Sequence, residues 1–362
     1  MGAPRIEIYV NKIAENTGVI VRSCKRRGIA VAGVTKATLG HPDVARAMLE
    51  GGARWIADSR VANLRRLRDS GVLCETLLLR APTLGEAGDA VDVADMTLIS
   101  SVETAKALGE AATTRRKIHK VILMVDVGDL REGVLPEAAV ETAQRVSRIK
   151  GIELNGIGTN VACYGGVLPT FDNMSLLVRL GYEIRSEFGL DLPVISGGNS
   201  SAIPLVRSGE IPRGINQLRI GESILLGRDV TYRRPLPDMH LDAFVLVGEA
   251  IEVERKPSRP QGEIGQDAFG KVRSFRDRGT RLRAILAMGR QDVVPEGLAP
   301  LESGTDVLGA SSDHLILDVE DCDRRIRVGD EVRFTMSYGC LLAAMTSPYV
   351  HKVTMACSVG QR

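Results

Sequence analysis

Polar residues that could do chemistry stand at the ends of short apolar runs in this sequence. They are Lys36, Arg80, Asp126, Asn160, Asn199 and Arg219. Lys36 closes the run AVAGVTK, and a lysine amine forms an imine only when it is neutral, the form that burial favours. A lysine at a strand end can also be a simple exposed residue. The interpretation of Lys36 therefore depends on the other strand ends.

Two of these ends are rich in glycine and serine. SGGNSS covers residues 196–201 and IGES covers residues 220–223. Backbone N–H groups and hydroxyls in such turns bind phosphate, although glycines can also serve only to make a tight turn. Arg219 directly precedes the second turn and could reach the ring nitrogen of a cofactor anchored there. A guanidinium in that place keeps the nitrogen unprotonated, which suits racemisation better than transamination.

The elements that must position these residues are eight repeated βα units. The predicted strands cover residues 29–36, 54–60, 75–80, 96–100, 120–128, 154–160, 193–200 and 216–223. Amphipathic stretches with apolar residues at helical spacing separate them. No early G-x-G-x-x-G motif opens a helix, so an α/β fold of the (β/α)8 TIM barrel type is favoured over a doubly wound sheet. In such a barrel the polar strand ends meet at one face.

The sequence changes in character after the proline-containing segment 233–240. Alternating apolar and polar residues between Gly and Asp turns predict a C-terminal antiparallel β domain. We therefore expect a barrel over residues 1–232 and a β domain over residues 233–362, with which residues 5–10 could also pair. The charged stretch 256–279 is expected to be a long exposed hairpin or loop.

Composition narrows the class of partner. The 47 Lys and Arg residues nearly balance the 45 Asp and Glu residues, which gives no electrostatic signal for nucleic acid or acidic membrane. No apolar leader or spanning segment is present in the sequence, so a cytoplasmic protein with a small-molecule partner is expected. The six scattered cysteines predict reduced thiols and no metal site.

Several motifs follow one another in the order that a known family has. They are VTKATLGHP around Lys36, VDVGDLREG with Arg131, NSS at 199–201, RIGESILLG with Arg219, GASSDH at 309–314 and MSYG with Tyr338. Over nearly its whole length the chain resembles the alanine racemase family of fold-type III pyridoxal-phosphate enzymes. The resemblance implies that pyridoxal 5′-phosphate is held by Lys36, Asn160, Asn199, Ser200, Ser201, Arg219, Gly221, Glu222 and Tyr338.

Three departures from alanine racemases concern the substrate. Leu39 stands in the neighbourhood where those enzymes have a tyrosine after the lysine motif, Asn160 replaces the histidine that stacks on the ring, and Arg290 occupies the place of the second catalytic tyrosine. The combination resembles the ornithine racemase branch. Ornithine or another basic amino acid is therefore the expected substrate, and Asp58, Glu132 and Glu222 are possible sources of the acidic side chain that would favour it.

A two-base racemase needs a proton acceptor on each face of the substrate carbanion. Lys36 can serve one face. For the other face the candidates are Ser312, Asp313, His314 and Asp292, and our assignment of catalytic residues is Lys36, Asp313 and His314. The assigned substrate-binding residues are Arg131, Arg290, Ser312 and Asp313. The resemblance implies a homodimer in which the 309–314 segment reaches the neighbouring site.

Other functions share this architecture. A pyridoxal-phosphate decarboxylase of a basic amino acid usually carries a G-G-G phosphate loop and a late Cys–Asp pair, which SGGNSS and Arg219 fit less well. A non-catalytic cofactor carrier would not need the second domain. A metal-assisted aldolase or dehydratase would need a His/Cys pair near the C-terminus, and the spacing of His351 and Cys357 does not provide a convincing one.

Overall fold

The computed structural model describes residues 2–272 and 274–355. The chain forms two compact units. One comprises residues 10–241, and the other comprises residues 1–9 together with residues 242–362. Residues 233–241, which sequence analysis placed after the domain boundary, are thus grouped with the first unit.

The first unit is a closed barrel of eight parallel strands, as predicted. Each strand pairs with the next along the chain and β9 closes the ring by pairing with β2. The strands are β2 (Ala30–Val34), β3 (Trp55–Asp58), β4 (Thr76–Leu78), β5 (Met96–Ile99), β6 (His119–Met124), β7 (Ile152–Gly158), β8 (Val194–Ser196) and β9 (Gln217–Ile220).

Helices follow the strands and surround the barrel. They are α1 (Val10–Lys25), α2 (Pro42–Glu50), α3 (Val61–Asp69), α4 (Ala87–Val93), α5 (Val102–Thr114), α6 (Pro136–Ser147), α7 (Phe171–Phe188), α8 (Ile203–Ser208) and α9 (Glu222–Leu226). Their ends follow local chemistry. Thr170 and Asn173 form a reciprocal capping box at the start of α7, and Gly189 ends α7 in the left-handed conformation that glycine adopts without strain.

The core of the barrel consists of residues at alternate positions of its strands. The packed set is Ala32, Val34, Trp55, Ala57, Leu77, Met96, Leu98, Ile122, Met124 and Val194. Successive side chains of a strand point to opposite faces, so this alternation places one face of every strand inside the barrel. Continued by two residues, the same face of β2 reaches Lys36 and that of β6 reaches Asp126.

The second unit is an antiparallel sheet that includes the first strand of the chain. Its strands are β1 (Arg5–Tyr9), β10 (Phe244–Pro257), β11 (Thr280–Leu286), β12 (Leu298–Pro300), β13 (Asp306–Ala310), β14 (Leu315–Asp318), β15 (Glu331–Met336) and β16 (His351–Met355), with helix α10 (Tyr338–Thr346) before the last strand. β1 pairs antiparallel with β10 and parallel with β16. The segment between β10 and β11 is mostly exposed over its described residues.

Two further observations concern the helices and the cysteines among the described residues. None of their helices combines the length and the apolar character that crossing a bilayer requires. The five described cysteines are free thiols, of which Cys24 and Cys340 are buried and Cys163 is exposed.

Candidate active site

Lys36 lies where β2 leaves the barrel, at the start of a short 3₁₀ turn (Lys36–Thr38). It is half-buried. Among the described residues its amine makes no hydrogen bond and no ion pair, and the carboxylate of Glu222 is the acidic group whose pKa its charge affects. The amine of Lys36 is therefore available for bond formation at the face of the barrel where the strands end.

Asp58 braces this turn from the end of β3. Its carboxylate accepts hydrogen bonds from Thr35 Oγ1 (2.8 Å), the Arg60 N–H (3.1 Å) and Asn63 Nδ2 (2.9 Å). The side chain is fully buried, and burial raises its pKa against the opposing effect of these donors. Both carboxylate oxygens are used to hold the backbone that carries Lys36.

Hydrogen bonds join the polar turns at the exits of β8 and β9. Ser200 Oγ accepts hydrogen bonds from the N–H groups of Gly221 and Ser223, both at 3.3 Å. Asn199 Oδ1 accepts the N–H of Ser201 at 2.7 Å and so caps the short turn that follows β8. Ser201 Oγ is buried and has no hydrogen-bond partner among the described residues. The two glycine- and serine-rich turns are thus joined, with one buried hydroxyl free for a ligand.

Arg219 occupies the interior of the barrel beside these turns. It is 4 % exposed, donates from Nη2 to the Thr159 carbonyl at 2.6 Å, and donates from Nη1 to Ser196 Oγ. Burial lowers its pKa to about 10, with Arg131 adding to the effect and Glu132 opposing it. The guanidinium is therefore still cationic at neutral pH.

Asn160 stands between β7 and β8 at the same face. Its Oδ1 accepts a hydrogen bond from Asn199 Nδ2 at 3.1 Å, and Asn199 Nδ2 also donates to the Val161 carbonyl at 2.8 Å. The Nδ2 of Asn160 is buried and lacks a partner among the described residues. An unpaired buried amide donor costs free energy unless a ligand accepts from it.

The loops after β6 and β7 are tied together by Asp129, which sequence analysis did not identify. This carboxylate is 1 % exposed and accepts the N–H groups of Tyr164 (2.9 Å), Val167 (3.2 Å) and Cys163 (3.3 Å). Burial opposes its ionisation, but the backbone donors outweigh burial and hold its pKa below the ordinary value. An aspartate beside glycine is common in turns, so the sequence carries no signal that singles out this one.

Arg131 projects from the loop that Asp129 anchors. It donates to Cys163 Sγ at 3.0 Å and forms an ion pair with Glu132. Asp126, at the start of this loop, accepts the N–H groups of Gly128 (2.8 Å) and Leu130 (3.2 Å). The structure thus places Arg131 and Glu132 close enough to Arg219 for their charges to act on it.

Glu222 begins α9 and lies between two cations. It forms an ion pair with Arg233. Burial raises its pKa, while the charges of Arg233 and Lys36 oppose that rise. The charge of Lys36 thus acts on Glu222, one of the predicted acidic residues. Arg80, which follows β4, is exposed and pairs with Glu86 at 3.3 Å.

In the second unit, Arg290 and the 311–314 turn form one corner. The N–H of Arg290 donates to the Ser311 carbonyl and that of Gln291 to the Ser312 carbonyl, both at 2.9 Å. Gly289 allows this contact because a Cβ there would overlap the backbone of Ser312.

Ser312, Asp313 and His314 are exposed at this corner, and the side chains of Asp313 and His314 are paired. Asp313 Oδ1 lies 3.1 Å from His314 Nδ1 and accepts from Ser312 Oγ at 3.2 Å. The hydrogen bonds from His314 and Ser312 hold the pKa of Asp313 below the ordinary value. A carboxylate on Nδ1 orients the imidazole and leaves Nε2 as its free nitrogen.

Three other residues that were considered from the sequence also lie in the second unit, namely Arg290, Asp292 and Tyr338. Arg290 pairs with Glu296 and stacks 5.0 Å from the Phe269 ring. Asp292, the alternative base, is instead a buried structural group that accepts from the Gly289 N–H and from Ser347 Oγ, both at 3.0 Å. Tyr338 is half-buried at the start of α10.

The barrel residues fit pyridoxal phosphate as a group. Among the described residues, an unpaired lysine amine, the buried unpaired atoms Thr159 Oγ1, Asn160 Nδ2 and Ser201 Oγ, and a buried guanidinium lie around the exits of β2, β7, β8 and β9. For a metal ion, no group of three His, Cys, Asp or Glu side chains within residues 2–272 and 274–355 could provide the ligands. Cys357 lies outside the described residues.

Two family models match the chain. The model described as alanine racemase, N-terminal domain, matches residues 8–229. The model described as putative serine dehydratase domain matches residues 268–351. The first match spans more than half of the chain and covers the whole barrel sheet.

Individual relatives match nearly end to end. An ornithine racemase of Acetoanaerobium sticklandii is 44 % identical over 350 residues, which cover 96 % of this chain and 99 % of the relative. A lysine racemase of Thermotoga maritima is 43 % identical over 350 residues, which cover 97 % and 98 % respectively. Among solved structures, an alanine racemase from Corynebacterium glutamicum superposes with a TM-score of 0.75 at 20 % identity, covering 98 % of this chain and all of that one.

Proposed function

Because the chain belongs to the alanine racemase family and is an amino-acid racemase, we propose that it interconverts L- and D-ornithine, with L- and D-lysine as a second pair, using pyridoxal 5′-phosphate. The observation that carries the cofactor assignment is the unpaired amine of Lys36 at the same barrel face as the joined turns of residues 199–201 and 221–223.

Each barrel residue has a separate task in holding the cofactor. Lys36 supplies the amine that binds it covalently. Ser201 Oγ, which has no partner among the described residues, would donate a hydrogen bond to its phosphate. Asn160 Nδ2, buried without a partner, supplies one more donor at the same face. When bound, the cofactor acidifies the Cα proton of the substrate by taking up the electron pair that the proton leaves behind.

Arg219 controls how far that electron pair spreads. Its guanidinium is fixed by Thr159 and Ser196 and stays cationic at neutral pH. A permanent cation beside the ring nitrogen disfavours protonation of that nitrogen. With the cofactor bound, this cation would favour return of a proton to Cα over transamination.

Proton transfer needs one base on each face. Lys36 takes and returns the Cα proton on its own face. We assign the opposite face to His314, whose Nε2 is left free while Asp313 holds Nδ1. The orienting carboxylate also stabilises the imidazolium that forms when Nε2 accepts a proton.

We propose that the Asp313–His314 pair is supplied by a second copy of the chain in a homodimer, together with Arg290, Ser312 and Tyr338. Support comes from the motif GASSDH at residues 309–314, which resembles the segment that alanine racemases contribute across a dimer interface. Light scattering of serially diluted protein, with the racemisation rate measured in parallel, tests this arrangement. A fully active monomer would contradict it.

The preference for a basic substrate rests on two observations. The relatives at 44 % and 43 % identity are named for ornithine and lysine, and the barrel face carries two carboxylates, Glu132 and Glu222, near its cations. Arg131 and Arg219 lie close to Glu132 and would attract the substrate carboxylate. An acidic side chain at the same face provides a partner for the distal ammonium of ornithine.

The experiment is a substrate panel with the purified protein and pyridoxal phosphate. L-Ornithine, L-lysine and L-alanine are incubated separately and the enantiomers are separated by chiral chromatography, with Lys36→Ala as the variant that lacks the amine. We expect D-ornithine to form fastest and no D-isomer with Lys36→Ala. Loss of ornithine with release of carbon dioxide and no D-isomer would instead show a decarboxylase.

A further inference from the structure

A cleft rich in arginine lies on the barrel unit, outside the site described above. Its volume is about 530 Å³, within the range of small-molecule sites. The side chains that line it and bear on its chemistry are Arg22, Arg26, Arg27, Arg207, Ser23 and Asp238. Four of these six are cations and one is an anion.

The cleft lies at the end of the barrel where the strands begin. α1 ends at Lys25 and β2 begins at Ala30, so Arg26 and Arg27 stand directly before that strand. Arg207 belongs to the last turn of α8, from which the chain passes to the start of β9. Lys36 lies at the opposite end of β2. A ligand of the cleft would therefore be independent of the cofactor site.

The four guanidiniums have no protein partner within the part of the chain that the structure describes. Among the described residues, none of Arg22, Arg26, Arg27 and Arg207 makes a side-chain hydrogen bond or ion pair. Other exposed arginines of the barrel are paired, such as Arg65 with Asp89 at 2.8 Å and Arg115 with Asp92 at 2.7 Å. Arg65 lines a second barrel cleft, and there Asp69, Glu86 and Asp89 balance the cations.

The C-terminal ends of two helices neutralise only part of the positive charge of the four guanidiniums. The C-termini of α1 and α8 each carry about half a negative charge from the helix dipole, and Asp238 adds one full charge. Four guanidiniums against these groups leave about two positive charges uncompensated in the cleft. That excess matches a compact anion with at least two negative charges.

Two glycines make room for the guanidiniums against the helices. A Cβ on Gly209, which ends α8 with a φ of +85°, would lie 3.0 Å from Cζ of Arg27. A Cβ on Gly18 of α1 would lie 3.1 Å from Nη1 of Arg22. These two guanidiniums therefore lie directly on helix backbone, which reduces the freedom that they would lose on binding a ligand.

We propose that this arginine cleft is a binding site for a small polyanion bearing phosphoryl or carboxylate groups. Guanidinium groups bind the oxygens of both through paired hydrogen bonds. The size and concavity of the cleft fit a small molecule. The net charge of +2 for the whole chain gives no wider positive surface for a nucleic acid. The proposal does not depend on the proposed racemisation.

The test uses the holoenzyme, so that pyridoxal phosphate already fills the phosphate site at the other end of the barrel. Pyrophosphate and citrate are titrated separately by calorimetry at low and at physiological salt. The variant Arg26→Gln/Arg207→Gln removes two cations of the cleft. The matched control Arg65→Gln/Arg115→Gln removes two cations elsewhere on the same unit. Circular dichroism and the basal racemisation rate check that each variant is folded.

We expect one site per chain and weaker binding at higher salt. The affinity should be at least about tenfold lower in the cleft variant, because it lacks two guanidiniums that donate charge-assisted hydrogen bonds to the anion. The control variant should bind as the parent does. Comparison of the two anions tells phosphoryl from carboxylate ligands. Binding of neither anion, or equal loss in both double variants, would overturn the proposal.

Discussion

Asp129 offers the sharpest test of how the barrel loops position the site. Its carboxylate holds three backbone N–H groups of the loop after β7, and its own loop carries Arg131 and Glu132. Asp129→Asn keeps the shape of the side chain but turns one accepting oxygen into a donor. If the new amide nitrogen replaces Oδ1, the N–H of Val167 faces another donor. If it replaces Oδ2, the N–H groups of Cys163 and Tyr164 do so.

The magnitude follows from the bonds that are lost. A hydrogen bond to a charged group contributes about 1.5–3 kcal/mol, so losing one raises the free energy of the closed loop by about 2 kcal/mol. Such a change multiplies the open population by about 30. We expect hydrogen exchange at Cys163, Tyr164 and Val167 to speed up by a similar factor, and kcat/KM to fall by up to about 30-fold.

The matched control is Asp95→Asn, because Asp95 also accepts backbone and hydroxyl donors, from Thr76 at 2.7 and 2.9 Å, but precedes β5 at the other end of the barrel. It should lower stability and leave kcat/KM unchanged. The reasoning fails if Asp129→Asn keeps kcat/KM and the exchange rates of the β7 loop within twofold of the parent.

Three further outcomes are expected. The low pKa of Asp129 means that the order it gives the loop is present above the ordinary aspartate pKa and is lost as pH falls through the folded value. The protection of the loop amides, which is their exchange rate relative to the intrinsic rate at the same pH, should therefore fall in acid. Burial lowers the pKa of His119 to about 4. Its stabilising contribution is therefore complete above the unfolded pKa of 6.5 and declines as pH falls towards 4. Urea unfolding followed by the fluorescence of Trp55 should show a loss of about 2 kcal/mol from pH 7 to pH 5 that His119→Asn lacks. An equal loss in the variant would contradict this. His314→Gln should abolish racemisation in deuterium oxide while one enantiomer of ornithine still exchanges its Cα proton through Lys36. His240→Gln, which removes an exposed histidine that also pairs with a carboxylate, should change neither reaction. Exchange of both enantiomers in His314→Gln would exclude His314 as the second base.

Much of the barrel was predictable because its signals are local. Each predicted strand overlaps an observed one, since a run of buried apolar residues between turns reports on strand formation by itself. Lys36, Asn199 and Arg219 were proposed as site residues because each stands at a strand end, and the closed barrel brings these strand ends to one face. The same repeat led to the fold class, whereas the family was predicted from the resemblance and order of the motifs.

Other parts of the site depend on pairings that no local pattern records. Ser200 joins the β8 exit to N–H groups 21 and 23 residues later, and Asp129 binds N–H groups more than 30 residues away. Asp292 was considered as a base, but its partner Ser347 is 55 residues distant in sequence and makes it structural. Whether such a residue serves the structure or the reaction depends on tertiary contacts, which a single sequence does not reveal.

The pairing of β1 with both β10 and β16 makes the barrel an insertion within the second unit. During synthesis, β1 leaves the ribosome first but must wait on the order of tens of seconds for its last partner strand. Ile6 and Ile8, both fully buried in the finished protein, lie on an unpaired strand until β10 is made and on a strand with one free edge until β16 is made. Arg5 and Glu7 alternate with them, and charged residues on a free strand discourage pairing with other chains. The barrel can fold before β16 is made. We therefore expect the inserted unit to fold first and the second unit to fold after it.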